Sequence, residues 1–290
     1  MFEGVYVAIV TPFKEGRIDE KGLRKNLRFL VEGGVAGIVP CGTTGETPAL
    51  SRDEWIKVIR ITVEEVRGRA KIVAGAGTNS TMKTIENLKV VKDLGVDGAL
   101  VVTPYYNKPT QEGLFKHFVE IAQVGVPIVA YNVPGRTGCN LQPETIIRIC
   151  EHSEMVVAVK EASGNLDAVS KIAAELGDRI NLLSGDDSLT LPMLAVGAKG
   201  VISVLANIVP TELVEMVDAF KAGDAGKARH IHLNYFNLTK LLFIETNPIP
   251  IKKAMDLLGL AAGPPRLPLV EMGPDNTLKL RKEMERLGLV

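Results

Sequence analysis

The chain has 290 residues, 34 Lys+Arg against 34 Asp+Glu, and a hydrophobic fraction of 46%. That charge balance excludes a polyanion-binding protein, which needs a surplus of cations facing phosphate. No apolar run approaches the ~18–20 residues that span a bilayer, so no membrane partner is expected. The opening Met-Phe-Glu-Gly-Val-Tyr-Val carries neither a basic region nor a small-residue cleavage site. The cysteines, Cys41, Cys139 and Cys150, are too few and too scattered for a disulfide scaffold. Both features make the cytoplasm the expected location.

In chain order the predicted elements alternate. A short apolar run at 5–10 precedes a helical pattern at 20–32. Then come 37–39 and 52–66, 71–74 and 81–94, 98–102 and 111–124, and 127–131 and 143–150. The last pairs are 156–160 and 167–176, 181–184 and 189–196, and 200–203 and 210–222. Apolar residues in the helices recur at three- and four-residue steps, as Trp55, Val58, Ile59, Val63 and Val66 show. Ser51 and Glu54 have capping-box spacing, Ser80 stands ahead of the third helix, and Gly95 follows it as a C′ residue. Strands this short and apolar are buried on both faces, which predicts a parallel sheet. Eight βα units in about 220 residues are the count that closes an α/β (β/α)8 TIM barrel. The alternative, an open doubly wound sheet, usually has fewer strands. Beyond Ala222 only helical patterns follow, at 225–242, 249–258 and 276–287, divided by Asn247-Pro-Ile-Pro and Gly263-Pro-Pro-Arg-Leu-Pro. The expected organisation is a barrel at 1–222 carrying the active site and a C-terminal helical domain at 223–290.

Barrel chemistry sits at the C-terminal ends of the strands. Lys160 ends the apolar run Met155-Val-Val-Ala-Val159. Desolvation there lowers an amine's pKa, and a neutral amine attacks carbonyls to form a Schiff base. The competing reading is a lysine ion-paired to an acidic loop residue such as Asp186 or Glu161. Gly42-Thr-Thr-Gly45 is a tight turn whose hydroxyls and successive amides suit a carboxylate, unless its threonines merely cap the next helix. Tyr105, Tyr106 and Tyr131 all fall at strand ends, where tyrosine can pass protons or simply pack over the barrel mouth. Arg136, between Gly135 and Gly138, suits a planar carboxylate. Asp186-Asp187 fits helix capping better than a metal pair. Gly75-Ala-Gly-Thr-Asn-Ser80 lacks the third glycine of a dinucleotide fingerprint. His230-x-His232 has no further ligand beside it and reads as a solvated helix face.

Together Gly42-Thr-Thr-Gly-Glu46, Val102-Thr-Pro-Tyr-Tyr106, Tyr131-Asn-Val-Pro-Gly-Arg-Thr-Gly138 and Val159-Lys-Glu-Ala162 resemble the dihydrodipicolinate synthase family. That family lies among the pyruvate-dependent class I aldolases, with N-acetylneuraminate lyase and 2-keto-3-deoxygluconate aldolase. The resemblance runs over nearly the full chain, from Val5 to the Asn247-Pro-Ile-Pro segment. It implies a lyase of lysine and diaminopimelate biosynthesis that condenses pyruvate with L-aspartate 4-semialdehyde. Lys160 would form the imine. Tyr131, Thr43 and Tyr106 would relay protons, Tyr106 from a neighbouring subunit. Thr44, Ile202 and Gly185 would contact pyruvate, and Arg136 would clamp the second substrate's carboxylate. No metal or organic cofactor and no nucleic acid are implied, and a homotetramer built as a dimer of dimers is expected. A sugar-acid aldolase and a non-catalytic barrel are the alternatives, and the Pro-Gly-Arg-Thr-Gly run argues against the first. Lysine-sensitive members of the family place a histidine or glutamate where this chain has Arg52, Trp55 and Lys83. The added cations predict weak or absent inhibition by L-lysine.

Overall fold

The computed structural model describes residues 2–290. Its elements are β1 (Gly4–Ala8), β2 (Phe13–Lys14), β3 (Arg17–Ile18), α1 (Glu20–Glu32), β4 (Gly37–Val39), α2 (Arg52–Val66) and β5 (Lys71–Gly75). There follow α3 (Thr81–Asp93), β6 (Gly98–Val102), α4 (Gln111–Ala122), β7 (Ile128–Asn132), α5 (Pro134–Thr137), α6 (Pro143–His152) and β8 (Val156–Glu161). The chain continues through α7 (Leu166–Leu176), β9 (Asn181–Ser184), α8 (Thr190–Ala195), β10 (Gly200–Ser203) and α9 (Pro210–Lys221). It ends in α10 (Ala225–Leu241), α11 (Ile249–Leu257) and α12 (Pro274–Arg286). The large sheet is a closed barrel in the order β1-β10-β9-β8-β7-β6-β5-β4, the expected (β/α)8 architecture, and not an open sheet.

The capping signals operate as the sequence implies. Ser51 and Glu54 form a reciprocal capping box on α2. Ser80 accepts from the Lys83 amide at the start of α3, and Gly95 follows that helix at φ +76°. Three local features depart from the expected pattern. Strands β2 and β3 form a small antiparallel hairpin whose two turn residues, Glu15 and Gly16, both have positive φ. That is the mirror-image turn matching the twist of paired strands, but strands of two residues show no periodicity to read. The Pro134-Gly-Arg-Thr run coils into the one-turn helix α5, ended by Gly138 at φ +69°. The helix expected at 189–196 begins as a 3₁₀ turn at Asp187–Leu189 before α8.

The chain divides into two compact units. One comprises the residues up to Gly4 with Lys71–Ile202, the other Val5–Ala70 with Ser203–Val290. In the first, parallel pairing aligns Tyr131 on β7 with Lys160 on β8, and Lys160 with Leu183 on β9. That register fixes the chemistry described below. In the second, β1 pairs with β4, and α1 turns Leu23, Leu27 and Leu30 inward at helical spacing. All three are almost fully buried, each worth about 1.5–3 kcal/mol of transfer free energy.

Candidate active site

In the first unit the site is built around Lys160. Successive strand residues face opposite sides of a sheet, so Lys160 and Glu161 part company. The Lys160 side chain is buried, and its Nζ lies 4.2 Å from the centroid of the Tyr131 ring. Burial drives its pKa down to about 8; the Asp187 carboxylate pulls the other way, and the Arg136 guanidinium adds to the lowering. Neither Glu161 nor Asp186 pairs with Lys160. Both Glu161 oxygens accept from Asn132 Nδ2, at 3.3 and 3.0 Å, and one also accepts from the Ser163 amide at 2.6 Å. Asp186 caps the following turn, accepting from the Ser188 amide and hydroxyl. Among the described residues Lys160 forms no ion pair with either.

Gly185, at the end of β9, matters for what it lacks. A Cβ there would stand 3.1 Å from Lys160 Cε and 2.6 Å from the Ala162 Cβ. The missing side chain is what leaves the lysine stem room. Arg136 lies exposed on α5. The asparagine Asn132 ties this loop down: its Oδ1 accepts from the Leu141 amide at 2.9 Å, and its Nδ2 donates to Asn140 at 2.8 Å as well as to Glu161. Sequence reading gave Asn132 no role and took Glu161 only as a partner for Lys160. The available signal was their place beside Tyr131 and Lys160, where strand alternation points a buried polar pair at each other. Tyr106 is 88% exposed with φ +74°, and Ile202 is buried on β10.

The second unit carries the Gly42-Thr-Thr-Gly45 turn. It closes on itself through Gly45 N–H to Gly42 O and Glu46 N–H to Thr43 O, both 3.1 Å. Its threonines do not cap α2, because Ser51 does. Among the described residues the backbone N–H groups of Thr43 and Thr44 donate to no protein acceptor, although Thr44 is buried. Adjacent amides in a tight turn that lack protein partners have the arrangement that suits an anion. The Thr44 hydroxyl accepts from Asn247 Nδ2 at 3.0 Å.

Behind the turn lies a buried charge cluster that sequence reading also missed. Lys252, on α11, donates to Glu46 Oε1 at 2.6 Å and to the carbonyls of Thr11 and Pro264 at 3.2 Å. All three ammonium protons thus have acceptors. The other Glu46 oxygen accepts from the Arg266 amide at 2.8 Å. The Arg266 guanidinium in turn grips both oxygens of Glu54, holding that carboxyl down to about 2. Both cations sit over the Phe13 ring, Lys252 at 4.4 Å and Arg266 at 4.2 Å. Among the described residues no group of His, Cys, Asp and Glu could hold a metal, and no helix is long and apolar enough to cross a membrane.

The fold is a closed (β/α)8 barrel with a buried lysine at the end of one strand, an architecture that belongs to enzymes. The model of the dihydrodipicolinate synthetase family matches residues 1–287. A 4-hydroxy-tetrahydrodipicolinate synthase from Methanococcus maripaludis is 53% identical over 99% of each chain. One from Pelobacter propionicus is 50% identical over 100% of each. The crystal structure of dihydrodipicolinate synthase from Aquifex aeolicus superposes with a TM-score of 0.97 at 47% identity over 99% of each chain. The chain belongs to the dihydrodipicolinate synthetase family.

Proposed function

We propose that the protein is a lyase, a 4-hydroxy-tetrahydrodipicolinate synthase, which condenses pyruvate with L-aspartate 4-semialdehyde in lysine and diaminopimelate biosynthesis. The buried Lys160 amine carries this reading: burial biases it towards the neutral form, Tyr131 lies alongside and Gly185 leaves space around its stem. Lys160 Nζ adds to the pyruvate ketone, and loss of water gives the iminium. That electron sink lets a methyl proton leave, forming an enamine. The enamine carbon attacks the semialdehyde carbonyl, whose oxygen takes up a proton. The semialdehyde's own amine then attacks the iminium carbon, closes the six-membered ring and expels Lys160. Tyr131 serves the proton transfers, linked through Thr43 to Tyr106 of a neighbouring subunit. The Thr43–Thr44 turn takes the pyruvate carboxylate on its unpaired amides, with Ile202 and Gly185 completing the pyruvate subsite, and Arg136 takes the carboxylate of the second substrate.

This reading needs no organic cofactor, since the lysine itself supplies the electrophile. It places the enzyme in the cytoplasm as a homotetramer, a dimer of dimers. The Pro134-Gly-Arg-Thr-Gly138 run favours a carboxylate-bearing aldehyde over a polyhydroxylated sugar. Borohydride with pyruvate should leave a reduced adduct on Lys160, lost in Lys160→Ala, and turnover should follow aspartate semialdehyde and not sugar aldehydes. An adduct mapped to another lysine ends the mechanism.

A further inference from the structure

One short segment, Asn247 to Lys252, grips the Gly42-Thr-Thr-Gly-Glu46 turn at two points. Asn247 Nδ2 meets the Thr44 hydroxyl at 3.0 Å, and Lys252 Nζ meets Glu46 Oε1 at 2.6 Å. Asn247 and Thr44 are both buried, at 5% and 2% exposure. A hydroxyl has one hydrogen to give and lone pairs to receive, whereas an amide nitrogen only gives. With Asn247 donating, Thr44 Oγ1 is committed as an acceptor on that side, so its own hydrogen must point elsewhere. Among the described residues that hydrogen has no protein acceptor, and neither do the Thr43 and Thr44 backbone N–H groups.

We propose that Asn247 is a positioning residue that sets the polarity of the Thr44 hydroxyl, holding it as the third hydrogen-bond donor of the carboxylate cradle. The proposal rests on the reading above that this turn takes the pyruvate carboxylate. Without Asn247 the hydroxyl is free to rotate its hydrogen away, and the carboxylate loses an aligned donor.

The test is a double-mutant cycle on the full-length enzyme: Thr44→Val, Asn247→Leu and both together. Two quantities are read, the pyruvate concentration for half-maximal borohydride trapping and the steady-state constants for both substrates. Asn247→Leu should raise the pyruvate requirement roughly tenfold, the worth of a hydrogen bond to a charged group. It should leave kcat at saturating pyruvate and the aldehyde KM within about twofold, and add less than about twofold in the Thr44→Val background. An equal effect in both backgrounds, or a fall in kcat alone, would show that Asn247 merely supports the fold and overturns the proposal. So would an unchanged pyruvate requirement in Asn247→Leu while Thr44→Val raises it. An unchanged requirement in Thr44→Val would likewise overturn the proposal, since the hydroxyl would then be no donor to the carboxylate, while the reading of the turn's two backbone amides would stand. If Asn247→Leu does not fold, Asn247→Ser, smaller and with a hydroxyl too short to reach Thr44, takes its place in the cycle with the same outcomes.

Discussion

An ordinary lysine loses its proton near pH 10.4, and at neutrality well under a thousandth of it is a nucleophile. Lys160, brought down to about 8 chiefly by burial, is neutral in roughly a tenth of molecules at pH 7. The rate of borohydride trapping with pyruvate should therefore climb through neutrality and level off above about pH 8, since only the unprotonated amine attacks. A profile still rising steeply at pH 10 would show the amine unperturbed. The places of Lys160 and Tyr131 at adjoining strand ends were legible in the sequence because strand ends can be counted, whereas their roles came from the family resemblance. The roles of Asn132, Glu161 and Asn247 were not legible. Their function is to orient other groups, and an asparagine's partner is set by contacts 29 residues away, for Asn132 to Glu161, or 203 away, for Asn247 to Thr44.

At the level of elements, the turn after β4 is held by the buried Glu46–Lys252 pair on α11. Lys252→Met strands the Glu46 carboxylate without its cation and should cost about 3–5 kcal/mol. Adding Glu46→Gln should recover part of that, because the leftover charge is then gone. Urea unfolding of the three variants measures both effects, and a loss under about 1 kcal/mol in Lys252→Met would mean the pair is not holding the turn. A second buried group speaks through pH. His117 on α4 bonds Thr81 Oγ1 at 3.0 Å through Nδ1, while its Nε2 has no partner among the described residues, and burial pushes its pKa down to about 4. The unfolded chain, with an ordinary histidine near 6.5, binds the proton first as pH falls. Stability should thus be lost between about pH 6.5 and 4 by up to about 3 kcal/mol, and His117→Gln should flatten that part of the curve. The long elements were legible because their periods repeat. The β2–β3 hairpin and the one-turn α5 were not, because two to four residues carry no period.

For the whole molecule, the closed barrel was legible from counting alternations, since each barrel strand neighbours the next barrel strand in sequence, with the β2–β3 hairpin set aside, and β10 returns to β1. Assembly is less so. Tyr106, aromatic and 88% exposed, carries an αL backbone at φ +74°. If it completes a neighbouring subunit's site, mixing inactive Tyr106→Phe and Lys160→Ala chains should restore activity, because a mixed dimer assembles one intact site. Verified mixed dimers with no activity beyond that of the parents would return Tyr106 to its own subunit.

The two amides of the Thr43–Thr44 turn that find no acceptor among the described residues also bear on how the enzyme should be handled. Any carboxylate that settles there binds the folded chain and not the unfolded one, so it acts as a thermal protectant. At a hundredfold excess over its dissociation constant the gain is about 2.7 kcal/mol. Melting temperature should therefore rise with pyruvate concentration, and by less with acetate, which offers the same carboxylate but no ketone to join the lysine. Preparations stored in carboxylate buffers would then outlast those in uncharged ones.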